Sequence, residues 1–487
     1  MSDIIIIGGG IAGVTLASRL HALRPRLSIL LIEAGPDVKD HPHISNPAEA
    51  ALLHFSDLDY NYLTTAQKHL NDLPRYNCGI RGLSGGSIIN TGGWIRGDAQ
   101  DYDDWAELVD DERWSYRGLL PYFKKTEKHF DQNAGSDHHG FDGPITTASV
   151  SASGRKYPLR NAVAELWSTL GLQRIQDMND GHPQGFTDLV ENWKDGKRQI
   201  ASSAYPLAGV SVLTNATVHR VIIENGVARG VELADGAQHL TQPEGEVIVS
   251  GGAYRTPQIL MLSGIGNSKT LSQHGIAVVL EQPEVGQNLH DHLLLHRYWK
   301  LRHPEQGLAL GSPLFTGENF DKGGPLDFLV TSSVLTAPYK AAIELDQGPV
   351  ADSHPLLQTR SHLEMGVLYG AFAGEAQGLT IPIDGTSIMT FQMAGLPTSR
   401  GSVTLSSTDP AANPVIDPNY YATEADKHVY REGFRAQTRM FLNTEQGKEM
   451  VVEEHTPPGL PVLGIDATDE QIDQRIGLGG TTCYRKS

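Results

Sequence analysis

The first 35 residues constrain the fold more than any other stretch of the chain. Asp3 to Ile7 ends in four consecutive isoleucines, the pattern of a strand buried on both faces of a parallel sheet. It leads straight into Gly8, Gly10 and Gly13, a G-x-G-x-x-G that encloses Ile11 and Ala12. Val14 to Leu23 then reads as a helix and Ser28 to Ile32 as a second strand ending at Glu33, which completes a βαβ unit. In such a unit the first glycine permits the tight turn. The second lets backbone approach a pyrophosphate, the third lets helix pack on strand, and the helix N-terminus faces the negative charge. Glu33 lies 20 residues after Gly13, where a carboxylate accepts hydrogen bonds from ribose hydroxyls. A tight turn in some other α/β fold is the competing reading, and the agreement of strand, glycines, helix and acid argues against it. On spacing alone the dinucleotide is either NAD or FAD.

At 487 residues the chain exceeds what one hydrophobic core supports, so two connected domains are expected. A net charge of -18 repels phosphate backbones and excludes a nucleic-acid partner. Cys78 and Cys483 are too few for a disulfide framework or a cysteine-rich zinc site. No run approaches the roughly 20 apolar residues of a membrane span, and the first strand begins too early for a leader to precede it. A cytoplasmic location is the default expectation, with a secreted parent whose leader has been removed as the alternative.

From Arg81 the chain reads RGLSGGSIINTGGWIRGDAQDYDDWA, and from Gly252 it reads GAYRTPQILMLSGIG. These resemble the two signatures of the glucose-methanol-choline oxidoreductases, with Ser84 in place of one glycine of the first. Glu33-Ala34-Gly35 is the form associated with FAD in that family. Val285 to His292 (VGQNLHDH), Pro397 to Leu405 and Asp409 to Tyr420 resemble further family blocks, so the likeness spans nearly the whole chain.

The resemblance implies an α/β fold, with a Rossmann-like FAD-binding domain and a second, sheet-based substrate-binding domain. The expected boundaries are 1–295 for the main part of the FAD domain, 296–395 for the substrate domain and 396–487 for a C-terminal segment. It also implies FAD as cofactor and a small-molecule alcohol as substrate. Gly86, Ser87, Asn90, Thr91, Gly92 and Gly93 then lie against the flavin. Val218 meets the adenine through its backbone, from a hairpin turning at Glu224-Asn225-Gly226. Pro257 to Leu262 reads as a buried helix start.

His290 with His292, His138 with His139, and His41 with His43 fit neither a zinc finger nor an HExxH spacing, so no metal is expected. No G-x-S-x-G elbow anchors a serine hydrolase triad.

In the family a histidine base sits in a block reading roughly T-x-Y-H-P-x-G-T. Thr482-Cys483-Tyr484 matches T-x-Y, and Arg485 then stands at the position of the histidine. A guanidinium stays protonated and cannot act as base. The expectation is therefore a C-terminally incomplete chain that binds FAD poorly and does not oxidise alcohols. Alternatives on the same fold are a flavin binder without redox turnover, a non-redox lyase and a photodecarboxylase. Arg485-Lys486-Ser487 can also be encoded CGT-AAG-TCN, which contains the intron start GTAAGT. A retained intron and a genuine short tail are the two explanations weighed.

Overall fold

A computed structural model describes residues 1–46, 49 and 52–482 of the protein. Arg485, and with it the reading of the last residues, lies outside the described residues.

The expected βαβ unit forms as β1 (Ser2–Ile7), α1 (Ile11–Leu23) and β2 (Ile29–Ile32). Four further strands join it: β3 (Ser211–Leu213), β4 (Val218–Glu224), β5 (Val227–Leu233) and β6 (Gln238–Val249). They order as β3-β2-β1-β6-β5-β4. β1 is parallel to both neighbours, pairing Ile4 with Ile29 on one side and Ile7 with Val249 on the other. The β4–β5 hairpin turns where expected, with Asn225 and Gly226 both at positive φ (51° and 77°), the backbone a two-residue hairpin loop requires. β6 serves two partners. Its first residues run antiparallel to β5, while Glu246 to Val249 run parallel to β1.

α2 (Gly252–Leu262) follows β6. Here the sequence reading is corrected, because the helix begins five residues before Pro257 and the proline lies inside it. Gly252 at φ 78° makes the break from the strand. Pro257, lacking an N–H, leaves the carbonyl of Ala253 without its helical donor.

The second layer is an antiparallel sheet built from β7 (Leu293–Leu301), β8 (Phe328–Ser332), β9 (Leu363–Leu368) and β10 (Ser387–Ala394). The helix α3 (Glu424–Thr438) packs on it, β11 (Val451–His455) extends it, and α4 (Asp469–Gly479) closes it. The order is β11-β7-β10-β9-β8, with Gly185–Asp188 pairing on β8 and Thr481–Thr482 on β7. This sheet thus takes strands from outside 296–395 as well as from within it. Trp299, Phe328, Tyr430, Phe434 and Phe441 fill the core beneath it.

Inside that core lies a charge cluster. Arg297 on β7 donates to both oxygens of Glu454 on β11 (2.9 and 3.0 Å), and Arg475 on α4 donates to the same carboxylate at 2.7 Å. All three are almost fully buried. Burial opposes the charge of Glu454, but the two guanidiniums outweigh it and hold its carboxyl below the usual range. Arg297 also donates to Phe434 O and Thr438 Oγ1, so one cluster joins two strands and two helices.

The chain leading into the last residues is fixed from two sides. Arg75 donates to the carbonyls of Leu70, Gly477 and Gly480, placing a cation at the C-terminus of α4. Asp291 accepts from Thr482 Oγ1 (2.9 Å) and from the hydroxyl of Tyr420 (2.5 Å). Among the described residues no helix is long and apolar enough to cross a membrane.

Candidate cofactor site

A cavity of about 690 Å3 opens at the C-terminal ends of β1, β2 and β6, the edge at which open α/β sheets bind nucleotides. Gly8, Gly10, Glu33, Ala34, Gly86 and Val218 line it, all six expected from sequence. Ile11, Ala12 and Gly13 form the first turn of α1. A Cβ on Gly13 would collide with the carbonyl oxygen of Gly8, which is why this helix seats closely on its strand. The N-cap of α1, Gly10, offers no side-chain cap, so the first-turn N–H groups are available to an anion. The Cβ position of Gly10 is open, with Gly85 Cα 4.0 Å away as its nearest neighbour.

Glu33 is buried at the end of β2. Its Oε1 accepts from Gly35 N and its Oε2 from Gly9 N, both at 2.8 Å. Burial pushes its carboxyl up despite these amides. A carboxylate has about four acceptor positions, so room remains for a ribose hydroxyl. The same side chain therefore both fixes the glycine loop and faces the cavity.

The second glycine segment abuts the first. Ser84 N donates to Gly9 O at 2.7 Å, and Gly85 backs onto Gly10. Ser84, the residue that departs from the family pattern, is fully buried at φ 106°, a conformation costly for any side chain. It is held there by two bonds: its Oγ donates to Ser202 Oγ (2.8 Å) and accepts from Ser202 N (3.0 Å). Ser84→Ala should keep the strain and orphan the Ser202 amide, whereas Ser84→Gly loses the same bonds but relaxes the backbone. The alanine variant is thus expected to be less stable than the glycine variant by about 1 kcal/mol. Urea unfolding of the pair checks this, and equal stabilities would show that the serine is unstrained.

Past Gly86 only Ile89 of the segment still lines the cavity. Ser87 Oγ accepts from Ala201 N at 2.9 Å, and Asn90 Oδ1 accepts from Arg198 Nη1 at 2.9 Å. Thr91 O accepts from the Trp193 indole at 3.1 Å. Gly92 and Trp94 exchange backbone bonds with Asn192 and Val190, and Gly93 bridges Glu191. The run thus lies alongside residues 190–193, which continue from the Gly185–Asp188 strand of the second sheet.

Sequence reasoning missed the other walls. Arg255 on α2 donates to Tyr62 OH (2.8 Å), to the carbonyls of Pro410 and Ala412, and to Asn413 Oδ1 (2.9 Å), with its guanidinium 4.3 Å from the Tyr60 ring centre. One side chain thereby locks three separate stretches around the cavity. The available signals were the i, i+2 spacing of Tyr60 and Tyr62, and the position of Tyr254-Arg255 inside a quoted signature. Asp59 also lines the cavity. Burial opposes its charge, but the Tyr76 hydroxyl and the amides of Asn61, Phe55 and Gly79 prevail and hold its carboxyl low.

The fold also gathers possible metal ligands that sequence spacing does not: His54, Asp59 and Cys78, and Glu127, His129 and His139. In the first group Asp59 is taken by Tyr76 and three amides. In the second, Glu127 already receives Arg96 and His139.

An uncapped helix start, an open glycine, a buried acid with spare acceptor capacity and a cavity within the 300–1,000 Å3 that ligands of this size occupy together fit FAD. Comparison with known proteins agrees. The family description GMC oxidoreductase matches residues 2–294 with its N-terminal part and 397–477 with its C-terminal part. The GMC-type oxidoreductase acuG of Aspergillus aculeatus is 40% identical over 488 residues, covering 99% of this chain and 88% of that protein. The oxygen-dependent choline dehydrogenase of Pseudomonas fluorescens is 31% identical over 518 residues, covering 100% and 83%. Among solved structures, a formate oxidase superposes with a TM-score of 0.85 at 26% identity, covering 100% of this chain and 88% of that one. The pyridoxine 4-oxidase from Mesorbium loti gives 0.82 at 26% identity, covering 99% and 87%. This chain belongs to the GMC oxidoreductases, and its cofactor is FAD.

Proposed function

We propose that the protein oxidises the CH–OH group of a small alcohol, with the reacting carbon held where the 90–93 segment passes from the cofactor cradle to the second sheet. The observation that carries this reading is the continuity of that segment. It is bonded to Gly9 at one end, through Ser84, and to residues 190–193 at the other. Bound FAD supplies the two-electron acceptor for hydride leaving the alcohol carbon. The first turn of α1 and Gly8 to Gly13 hold the pyrophosphate, Glu33 the ribose, and Val218 the adenine. Asn90 to Gly93, with their amides steered by Arg198 and Trp193, border the ring system and place dipoles where negative charge develops on reduction.

No histidine among the described residues lines the cavity. Arg485 favours a second reading, in which flavin is bound without alcohol oxidation, because a guanidinium cannot take a proton from a hydroxyl. Anaerobic mixing of the flavin-loaded protein with a panel of primary and secondary alcohols separates the two. Loss of the oxidised-flavin absorbance with at least one alcohol is expected from the first. Unchanged absorbance across the panel, with flavin still bound, overturns it and leaves the second.

A further inference from the structure

Immediately after the 86–93 segment, the chain enters a buried ionic knot. Trp94 donates its indole N–H to Glu127 Oε2 (3.1 Å), and Arg96 donates to Glu127 Oε1 (2.6 Å). Asn179 accepts from Arg96 N through its Oδ1 (2.7 Å) and donates to Trp94 O (3.0 Å). At the centre is His139, 3% exposed. Its Nδ1 lies 3.0 Å from Glu127 Oε1 and its Nε2 lies 2.8 Å from Asp177 Oδ2.

A carboxylate is acceptor only, so a ring nitrogen at this distance from one must carry a proton. Both nitrogens of His139 meet carboxylates, and the ring is therefore a cation. The charges then balance, with the anions Glu127 and Asp177 against the cations Arg96 and His139, which is the condition for burying them together. His129 completes the picture. It stacks on His139 with ring centres 3.7 Å apart and interplanar angle 22°, and its buried Nδ1 has no hydrogen-bond partner among the described residues. Burial and the neighbouring His139 charge push its proton affinity down, so a neutral ring covers a charged one. A divalent cation among Glu127, His129 and His139 would have to displace a proton from His139 beside a guanidinium. The trio is thus an ion-pair cluster and not a metal centre.

We propose that His139 is a positioning residue, a buried imidazolium that through Glu127 and Asp177 clamps Trp94 to Arg96 and so holds the 86–93 segment at the flavin. The proposal rests on the reading that 86–93 borders the flavin.

Burial opposes the charge of His139, but Asp177 and Glu127 prevail and raise its proton affinity to about 9 from 6.5. For a group raised on folding, the stabilisation is complete below the unfolded value of 6.5 and is lost as pH rises through about 9. Glu127 and Asp177 are held low, and His129 titrates below its ordinary value, so none of them changes charge in that window.

The test compares the FAD-loaded wild type with His139→Gln, Asp177→Asn and Asn90→Ala between pH 6.5 and 9. In the wild type the folding equilibrium constant should fall by about tenfold or more across this window. FAD affinity should fall, and the visible circular dichroism of the flavin should change, in parallel. Asp177→Asn should move both transitions to lower pH, and His139→Gln should abolish the pH dependence. A wild-type profile flat in both readouts, or unmoved by Asp177→Asn, overturns the imidazolium. A pH-dependent stability with unchanged flavin signals, while Asn90→Ala does alter them, overturns the positioning role. If neither His139→Gln nor Asn90→Ala alters the flavin signals, the reading of 86–93 as the flavin segment fails instead.

Discussion

Glu454→Ala is expected to lower the unfolding free energy by about 3–5 kcal/mol, the largest loss we anticipate from a single change in this protein. The reason is asymmetric. The carboxylate accepts from Arg297 through both oxygens and from Arg475 through one, and its loss leaves two guanidiniums in the core without a counter-charge. Arg297 keeps Phe434 O and Thr438 Oγ1 as acceptors, but these carry no full charge. Replacing all three residues by apolar ones of similar volume should cost far less than removing the acid alone, because a buried ion pair gains little over good packing. Urea unfolding of the single and triple variants checks this. A single variant within about 1 kcal/mol of wild type would show that water reaches the cluster. Since β7 also carries Thr481–Thr482, the acid-free variant should unfold locally at that edge first, visible as early amide exchange there.

Glu33→Ala should weaken FAD binding by about tenfold to a hundredfold, the equivalent of about 1.5–3 kcal/mol for a lost charged acceptor. The loss has two sources. On the proposed reading the cofactor forfeits its acceptor for ribose hydroxyls, and the amides of Gly9 and Gly35 forfeit theirs inside a buried loop. Because Gly9 O also accepts from Ser84 N, loosening Gly9 disturbs the second glycine segment as well. Glu33→Gln should fall between, since its amide satisfies one of the two backbone donors and repels the other. Titration of the apoprotein with FAD, followed by flavin fluorescence, reads both. Undiminished affinity in the alanine variant would remove Glu33 from the site.

Where structure is encoded locally, the sequence was readable. Gly8, Gly10, Gly13 and Glu33 sit in one βαβ unit, and Asn225-Gly226 fixes its own turn. The second sheet was not, because its strands lack the alternation that marks a half-exposed strand. Ser387–Ala394 is buried on both faces, and Leu293–Leu301 carries an arginine in its core. Nothing around Arg297 announces a partner 157 residues away. Pro257 was misplaced because proline signals a helix start by default, and only the packing of α2 tolerates it further in. Arg255 lay in plain view within a quoted signature, yet its acceptors at 410–413 come together only in the fold. The same holds for His139, which was weighed with His138 only as a metal pair and whose partners Glu127 and Asp177 come together only in the fold.

The two-faced pairing of β6 also has a temporal meaning. On a ribosome adding about 5–20 residues per second, Glu246 follows its partner Ile4 by roughly 10–50 s. Throughout that interval β1, the middle strand of the sheet, has one bare edge, the kind of surface that templates aggregation. The β4–β5 hairpin shortens the danger at the end. It captures the first residues of β6 through contacts local in sequence, so the strand reaches β1 already tethered to the hairpin. The cavity closes later still, when the 410–413 stretch emerges. The full cofactor cradle therefore does not exist while the first half of the chain is made, since its walls include residues 250–262 and 410–413.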